Sequence, residues 1–166
     1  ADETLKHEGE YKDGDASGPG TTYRPEGTVE YQGAFHKGKY HGHGKLYRSD
    51  LSLQFEGRYE DGKANGHGTK YHANGKVEYD GEYKDSTRHG VGKRYCIDGT
   101  LLYEGETKDG KYHGQGILYR VDGERWYEGE FERGLFQKVE GIFPGGVNVV
   151  APFVPGHFAC GTTSDA

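Results

Sequence analysis

The sequence lacks several features that mark common protein classes. Its 166 residues include no methionine and two cysteines, and no apolar run approaches the roughly 18 residues of a membrane-spanning helix. Two cysteines are too few for a disulfide framework, which favours an intracellular, reducing setting. Lysine and arginine form no cluster and the net charge is -6, which argues against nucleic acid as a partner and against a basic membrane-binding patch.

The missing initiator methionine predicts that the chain is not a complete translation product. Either it is a fragment, or a leader has been removed before Ala1, as in secreted or organellar proteins. Both interpretations stay open. The expected localisation is therefore intracellular, or organellar after removal of a leader.

Glycine and aromatic residues are abundant instead, and they recur with a fixed period. The chain holds 30 glycines, 14 tyrosines and seven phenylalanines. Within each repeat, glycine recurs at positions 3, 8, 12, 14 and 21 with few exceptions, and aromatic residues recur at positions 1, 5 and 17. The six repeats of 24 residues begin at His7, Tyr31, Phe55, Tyr79, Tyr103 and Tyr127.

The pattern inside a repeat predicts a β-hairpin. In "YDGEYKDS", residues 79–86, positions 1, 3 and 5 alternate with acids, which is the period of a strand. The Asp-Gly pair that follows in three of the six repeats predicts a tight turn, and the glycines beside the rings are expected to leave space for them. The predicted fold is all-β: an elongated, single-layer antiparallel meander of about six hairpins, built like a solenoid.

Two phrases carry a family resemblance. "YQGAFHKGKYHGHGKLYRSDL" at 31–51 and "YEGETKDGKYHGQGILYRVDG" at 103–123 resemble the MORN (membrane occupation and recognition nexus) repeat. The resemblance implies a lead-in at 1–6, a MORN-repeat domain at 7–143 and an apolar C-terminal cap or arm at 144–166. The chain departs from the family in having Tyr, Phe or Thr where position 5 is usually Trp, and in a spacing one residue longer than usual.

The resemblance also implies a function. We expect a non-enzymatic scaffold subunit of a larger protein assembly, associated with the cytoskeleton or a membrane, that binds an extended partner segment or forms a homodimer. One alternative is a peripheral module that binds a phospholipid membrane without a basic patch. Another is the regulatory MORN segment of a longer enzyme.

The polar columns predict no catalytic residue, no metal site and no cofactor. His41, His89 and His113 occupy equivalent positions about 9.6 Å or more apart, too far to share one ion, so they are predicted to hydrogen-bond turn backbone. The repeated acids are predicted to form a solvated face, because a catalytic pair of carboxyl groups needs two differently tuned environments in a cleft.

The predicted partner-binding surface consists of rings at positions 1 and 17 and of the apolar tail. The tail either caps the last hairpin or docks on a partner, and both alternatives stay open. The predicted residues are Tyr31, Tyr47, Phe55, Tyr71, Tyr79, Tyr95, Tyr103, Tyr119, Val149, Val150, Phe153 and Val154.

Overall fold

The computed structural model describes residues 6–136, which contain twelve β-strands and no helix. They divide into two compact units, 6–75 with 83–86 and 76–82 with 87–136. The strands are β1 (Lys6–Lys12), β2 (Asp15–Tyr23), β3 (Val29–His36), β4 (Lys39–Tyr47), β5 (Leu53–Glu60), β6 (Lys63–Tyr71), β7 (Val77–Lys84), β8 (Thr87–Tyr95), β9 (Leu101–Lys108), β10 (Lys111–Tyr119), β11 (Arg125–Glu132) and β12 (Leu135–Phe136).

In the first unit, each strand from β1 to β6 pairs antiparallel with the next strand in the chain. The register places the glycine at position 3 of a repeat opposite the glycine at position 14, as in Gly33 and Gly44. The aromatic residue at position 1 lies opposite position 16, as in Tyr31 and Leu46. In the second unit, strands β8 to β12 pair in the same consecutive, antiparallel way.

The turn inside each hairpin has two residues with positive φ, and the predicted Asp-Gly pair forms it in three of the six hairpins. Asp61 and Gly62 have φ values of 48° and 84°, the two positive angles that a type I′ turn requires. From the second hairpin onward, each turn also contacts the preceding hairpin, because its second residue donates its N–H to a carbonyl there, as in Gly62 N to Tyr40 O at 2.8 Å. Ser86 replaces the glycine in one turn with φ 66° and keeps this bond, to Ala64 O.

The turn between one hairpin and the next is held by an arginine. Arg24 accepts a backbone bond from Gly27 and donates through its guanidinium to Val29 O at 2.8 Å. The same guanidinium donates to the carbonyl of Tyr47 in the following hairpin. Arg48 repeats this arrangement one repeat later, so two consecutive junctions of the first unit are bridged by a side chain.

The core of each unit is a ladder of rings lying flat on glycine. A Cβ added to Gly44 would lie 2.1 Å from the hydroxyl of Tyr31, so only glycine fits beneath that ring. Tyr31 stacks on Tyr40 at 3.7 Å and meets Tyr59 edge to face at 5.3 Å, two favourable aromatic geometries. Tyr103 and Tyr112 form the equivalent stack in the second unit, at 3.8 Å. The all-β hairpin meander and the glycine spaces predicted from the sequence are confirmed.

Candidate interaction surface

Each unit presents two chemically different faces. Residues at positions 1 and 5 point to one side of the strands, which we call the ring face. Residues at positions 2, 4, 15 and 17 point to the other side, the charged face, because successive residues of a strand alternate. Lys45 and Glu56, directly paired across β4 and β5, form a 3.3 Å ion pair on the charged face.

The predicted site residues at position 1 are core residues of the ring face. Tyr31, Tyr79 and Tyr103 are 0% exposed and Phe55 is 7% exposed. Burial raises the pKa of Tyr31 and Tyr103, because the phenolate would lose its hydration. The Tyr103 hydroxyl donates to Glu106 O at 2.6 Å, so the one polar atom of the ring is satisfied inside the hairpin.

The predicted site residues at position 17 lie on the charged face and are half-buried. They are Tyr47, Tyr71, Tyr95 and Tyr119. Tyr119 donates its hydroxyl to Glu104 at 3.3 Å, and Glu104 also accepts from Lys93 at 3.0 Å. This contact with Glu104 raises the pKa of Lys93. On the charged face, a tyrosine and a lysine thus share one carboxylate, which holds the Tyr119 hydroxyl group in place.

The structure therefore places the two predicted ring columns on opposite faces. A partner lying on one face cannot touch both columns, and the position-1 rings are reached only by displacing their neighbours. The tail residues Val149, Val150, Phe153 and Val154 lie outside the described residues, as does the predicted cap at 144–166. Partner binding by the twelve residues stays a prediction.

A second feature of the charged face is a carboxylate at position 4 that caps a β-bulge. In the fifth hairpin, Tyr112 pairs with Thr107 and Gly116 with Gly105, so β10 holds two residues more than β9 between these pairs. The bulge displaces the backbone N–H of Gln115. This N–H donates a hydrogen bond to the carboxylate of Glu106, the glutamate at position 4, at 3.2 Å.

The fourth hairpin repeats the cap, with Val91 N donating to Glu82 at 3.3 Å. Both glutamates are exposed, as predicted for a solvated face. The prediction missed that their carboxylates also bond to backbone. The coincidence of an acid at position 4 with a glycine at position 12 is the sequence signal that could have identified the cap.

The histidines at position 11 do not play the predicted backbone role at two of their positions. His41 Nδ1 is buried without a hydrogen-bond partner. His89 Nδ1 lies 3.7 Å from the carboxylate of Asp109. Among residues 6–136, no group of three or more His, Cys, Asp or Glu side chains is arranged to hold a metal ion.

The comparison with protein families identifies the repeat. The model of the MORN repeat matches residues 7–29, 31–52, 55–77, 79–101, 103–125 and 127–137, each match starting where a 24-residue repeat starts. No curated protein matches the chain. Residues 6–136 contain no helix that is long and apolar enough to cross a membrane. Because the matches cover more than half of the sequence and coincide with the hairpins, the chain belongs to the MORN-repeat family.

Proposed function

We propose that this protein is a non-enzymatic scaffold subunit that binds an extended segment of a protein partner along its charged face. The MORN repeat is a non-catalytic module of protein or membrane interaction. The observation that carries the proposal is the column of half-buried tyrosines at position 17. Tyrosine suits a binding surface because it offers a large, rigid contact area with few rotatable bonds, together with a polar tip.

The spacing of this column suits a partner in an extended conformation. Within a unit, successive position-17 rings are two strands apart, about 9.6 Å, close to the length of three extended residues. The hydroxyl groups of two rings in this column are already held, that of Tyr23 by Glu8 at 2.8 Å and that of Tyr119 by Glu104 at 3.3 Å. A partner would therefore meet ordered rings and lose little of its binding energy to ordering them.

The other face is less suited to the role. Its rings at positions 1 and 5 contact one another between hairpins, as in Phe55 with Tyr83 and Tyr103 with Phe131. Using them for binding would break the contacts that hold neighbouring hairpins together. Several titratable groups on the charged face form ion pairs, as Lys45 does with Glu56, or cap a bulge, as Glu106 does, which supports binding rather than catalysis.

Selection from a library of random 12-residue peptides tests the proposal. Peptides enriched on the wild-type protein should bind at least about tenfold more weakly to Tyr47→Ala and Tyr119→Ala, since truncating a central interface tyrosine removes more than about 1.4 kcal/mol. Tyr47→Phe and Tyr119→Phe keep the rings and should lose less.

Two results of this selection would contradict the proposal. One is that no peptide is enriched, and the other is that the selected peptides bind the alanine variants as tightly as the wild type. Analytical ultracentrifugation of the same samples separates self-association from peptide binding. Flotation with anionic vesicles tests the membrane alternative directly.

A further inference from the structure

The second hairpin contains the same bulge as the fifth but lacks the carboxylate. Gly33 pairs with Gly44 and Ala34 with His41, so Gly42 and His43 are the extra residues of β4. Gly42 has φ 63°, matching the left-handed glycine of the fifth hairpin, Gly114 at 56°.

Alanine stands where the first, fourth, fifth and sixth hairpins carry glutamate. A Cβ built on Gly42 would lie 3.4 Å from the Ala34 methyl group, whereas one built on Gly114 would lie 2.6 Å from the carboxylate of Glu106. The space that a carboxylate fills in the fifth hairpin is therefore lined in the second hairpin by a methyl group.

Groups that attract an anion surround this space. By equivalence with Gln115, the backbone N–H of His43 points toward Ala34. His41 lies in register opposite Ala34, and its Nδ1 is buried without a partner. Arg58 lies directly opposite His43 on β5 and is exposed. Within the described strands, Arg58 forms no ion pair and no side-chain hydrogen bond.

Arg58 also occupies position 4 of the third hairpin, where glutamate caps the bulge in the fourth and fifth. A Cβ on Gly66 would lie 3.5 Å from its Cδ, so the arginine stem lies beside a second bulge without a carboxylate from position 4. The charge at position 4 is thus reversed in the third hairpin and removed in the second. Hairpins 2 and 3 therefore differ at position 4 from the other four hairpins, which all carry glutamate there.

We propose that the bulge at Gly42–His43, together with Arg58, binds a glutamate or aspartate side chain from an acidic segment of a protein partner. Backbone N–H groups beside a left-handed glycine form an anion-binding concavity, and arginine binds carboxylates through charge-assisted hydrogen bonds. The occupant is a carboxylate because Glu82 and Glu106 fill the equivalent space within this chain.

The inference rests on the proposed function, for which it names the chemistry of the partner. His43, Lys45 and Tyr47 alternate along β4 on the charged face, so an acidic segment seated at His43 would continue toward the Tyr47 ring. The acidic residue supplies the anchor, and the tyrosine supplies the contact area.

Fluorescence anisotropy with a labelled hexaglutamate peptide at low ionic strength tests the site. We expect saturable binding to the wild type. Ala34→Glu supplies the missing carboxylate from within the chain, so it should occupy the site and weaken binding at least about tenfold. Arg58→Ala should weaken binding by at least the same factor, because truncating one partner of a hydrogen-bonded charge pair is costly. Ser49→Glu adds the same charge at an exposed turn of the same unit and should change affinity less than about twofold because exposed charges are screened.

Four results would overturn the inference. Hexaglutamate that does not bind the wild type removes it, and so does an equal loss in Ala34→Glu and Ser49→Glu, which would mean diffuse attraction. Binding of anionic phospholipid vesicles without binding of hexaglutamate would assign the site to lipid phosphate instead. Selected peptides that need Tyr47 but ignore Ala34→Glu would contradict this inference and leave the proposed function standing. Circular dichroism of each variant verifies that the strands persist.

Discussion

The two faces of each unit use the same amino acid, at the same period, for different purposes. On the ring face, Tyr31 and Tyr103 are completely buried and lie flat over paired glycines. On the charged face, Tyr47 and Tyr119 are half-buried and stand among carboxylates and lysines. The register places position 16, and not position 17, opposite position 1, so a single residue step along the strand separates the two columns. Periodicity alone therefore finds tyrosines that matter without telling which of them hold the fold.

The largest expected difference between the faces is in stability. Tyr103→Ala should lower the free energy of unfolding by about 3–5 kcal/mol, because it opens a cavity beneath Tyr112 and Phe131. Tyr119→Ala, the matched change on the charged face, should cost less than about 1 kcal/mol because its ring is already partly in water. Urea denaturation measures both, and similar losses would remove the distinction between the faces.

A glycine beneath a ring gives a second, smaller test. Gly68→Ala would place a Cβ 2.3 Å from Cζ of Phe55, and overpacking of this kind costs about 1–3 kcal/mol. The cost should shrink in a Phe55→Leu background, because the shorter side chain no longer reaches over the glycine. A double-mutant cycle measures this coupling. Additive losses would show that the glycine serves the backbone rather than the ring.

The smallest expected effect on stability at neutral pH comes from removing a hydroxyl group on the ring face. This effect becomes larger as the pH rises. Burial raises the pKa of Tyr59 above its usual value, so the unfolded chain loses this proton first. The contribution of the group to stability is therefore complete below about pH 10 and is lost as pH rises beyond it.

Tyr59→Phe should consequently unfold like the wild type at pH 8 and lose less stability than the wild type at pH 10.5. Urea midpoints at the two pH values make the comparison. Equal losses in both proteins would mean that the Tyr59 hydroxyl is hydrated in the folded state.

Much of the fold could be predicted because its signals are local. The Asp-Gly pairs specify the turns, as Asp61 and Gly62 illustrate, and the fixed period predicts consecutive pairing. Burial of the position-1 rings was harder to predict. Their exposure depends on neighbours two strands away, such as Tyr59 against Tyr31, which a single repeat does not contain.

The bulge and its carboxylate were beyond sequence reasoning for a different reason. Glu106 and Gln115 lie on two strands, and their contact exists only because β10 holds two residues more than β9. Alternation of polar and apolar residues cannot show such an insertion. Arg24 was missed likewise, since its guanidinium reaches a carbonyl in the following hairpin.

The links between neighbouring hairpins have a consequence for biosynthesis. Gly62 reaches back to Tyr40, and Arg24 reaches forward to Tyr47, so within a unit these bonds join hairpins that are adjacent in the chain. As the polypeptide leaves the ribosome, each new hairpin can complete such a junction with the one translated just before it, without waiting for a distant segment. Folding dominated by such local contacts is fast, which shortens the time that unpaired strand edges are exposed to other nascent chains.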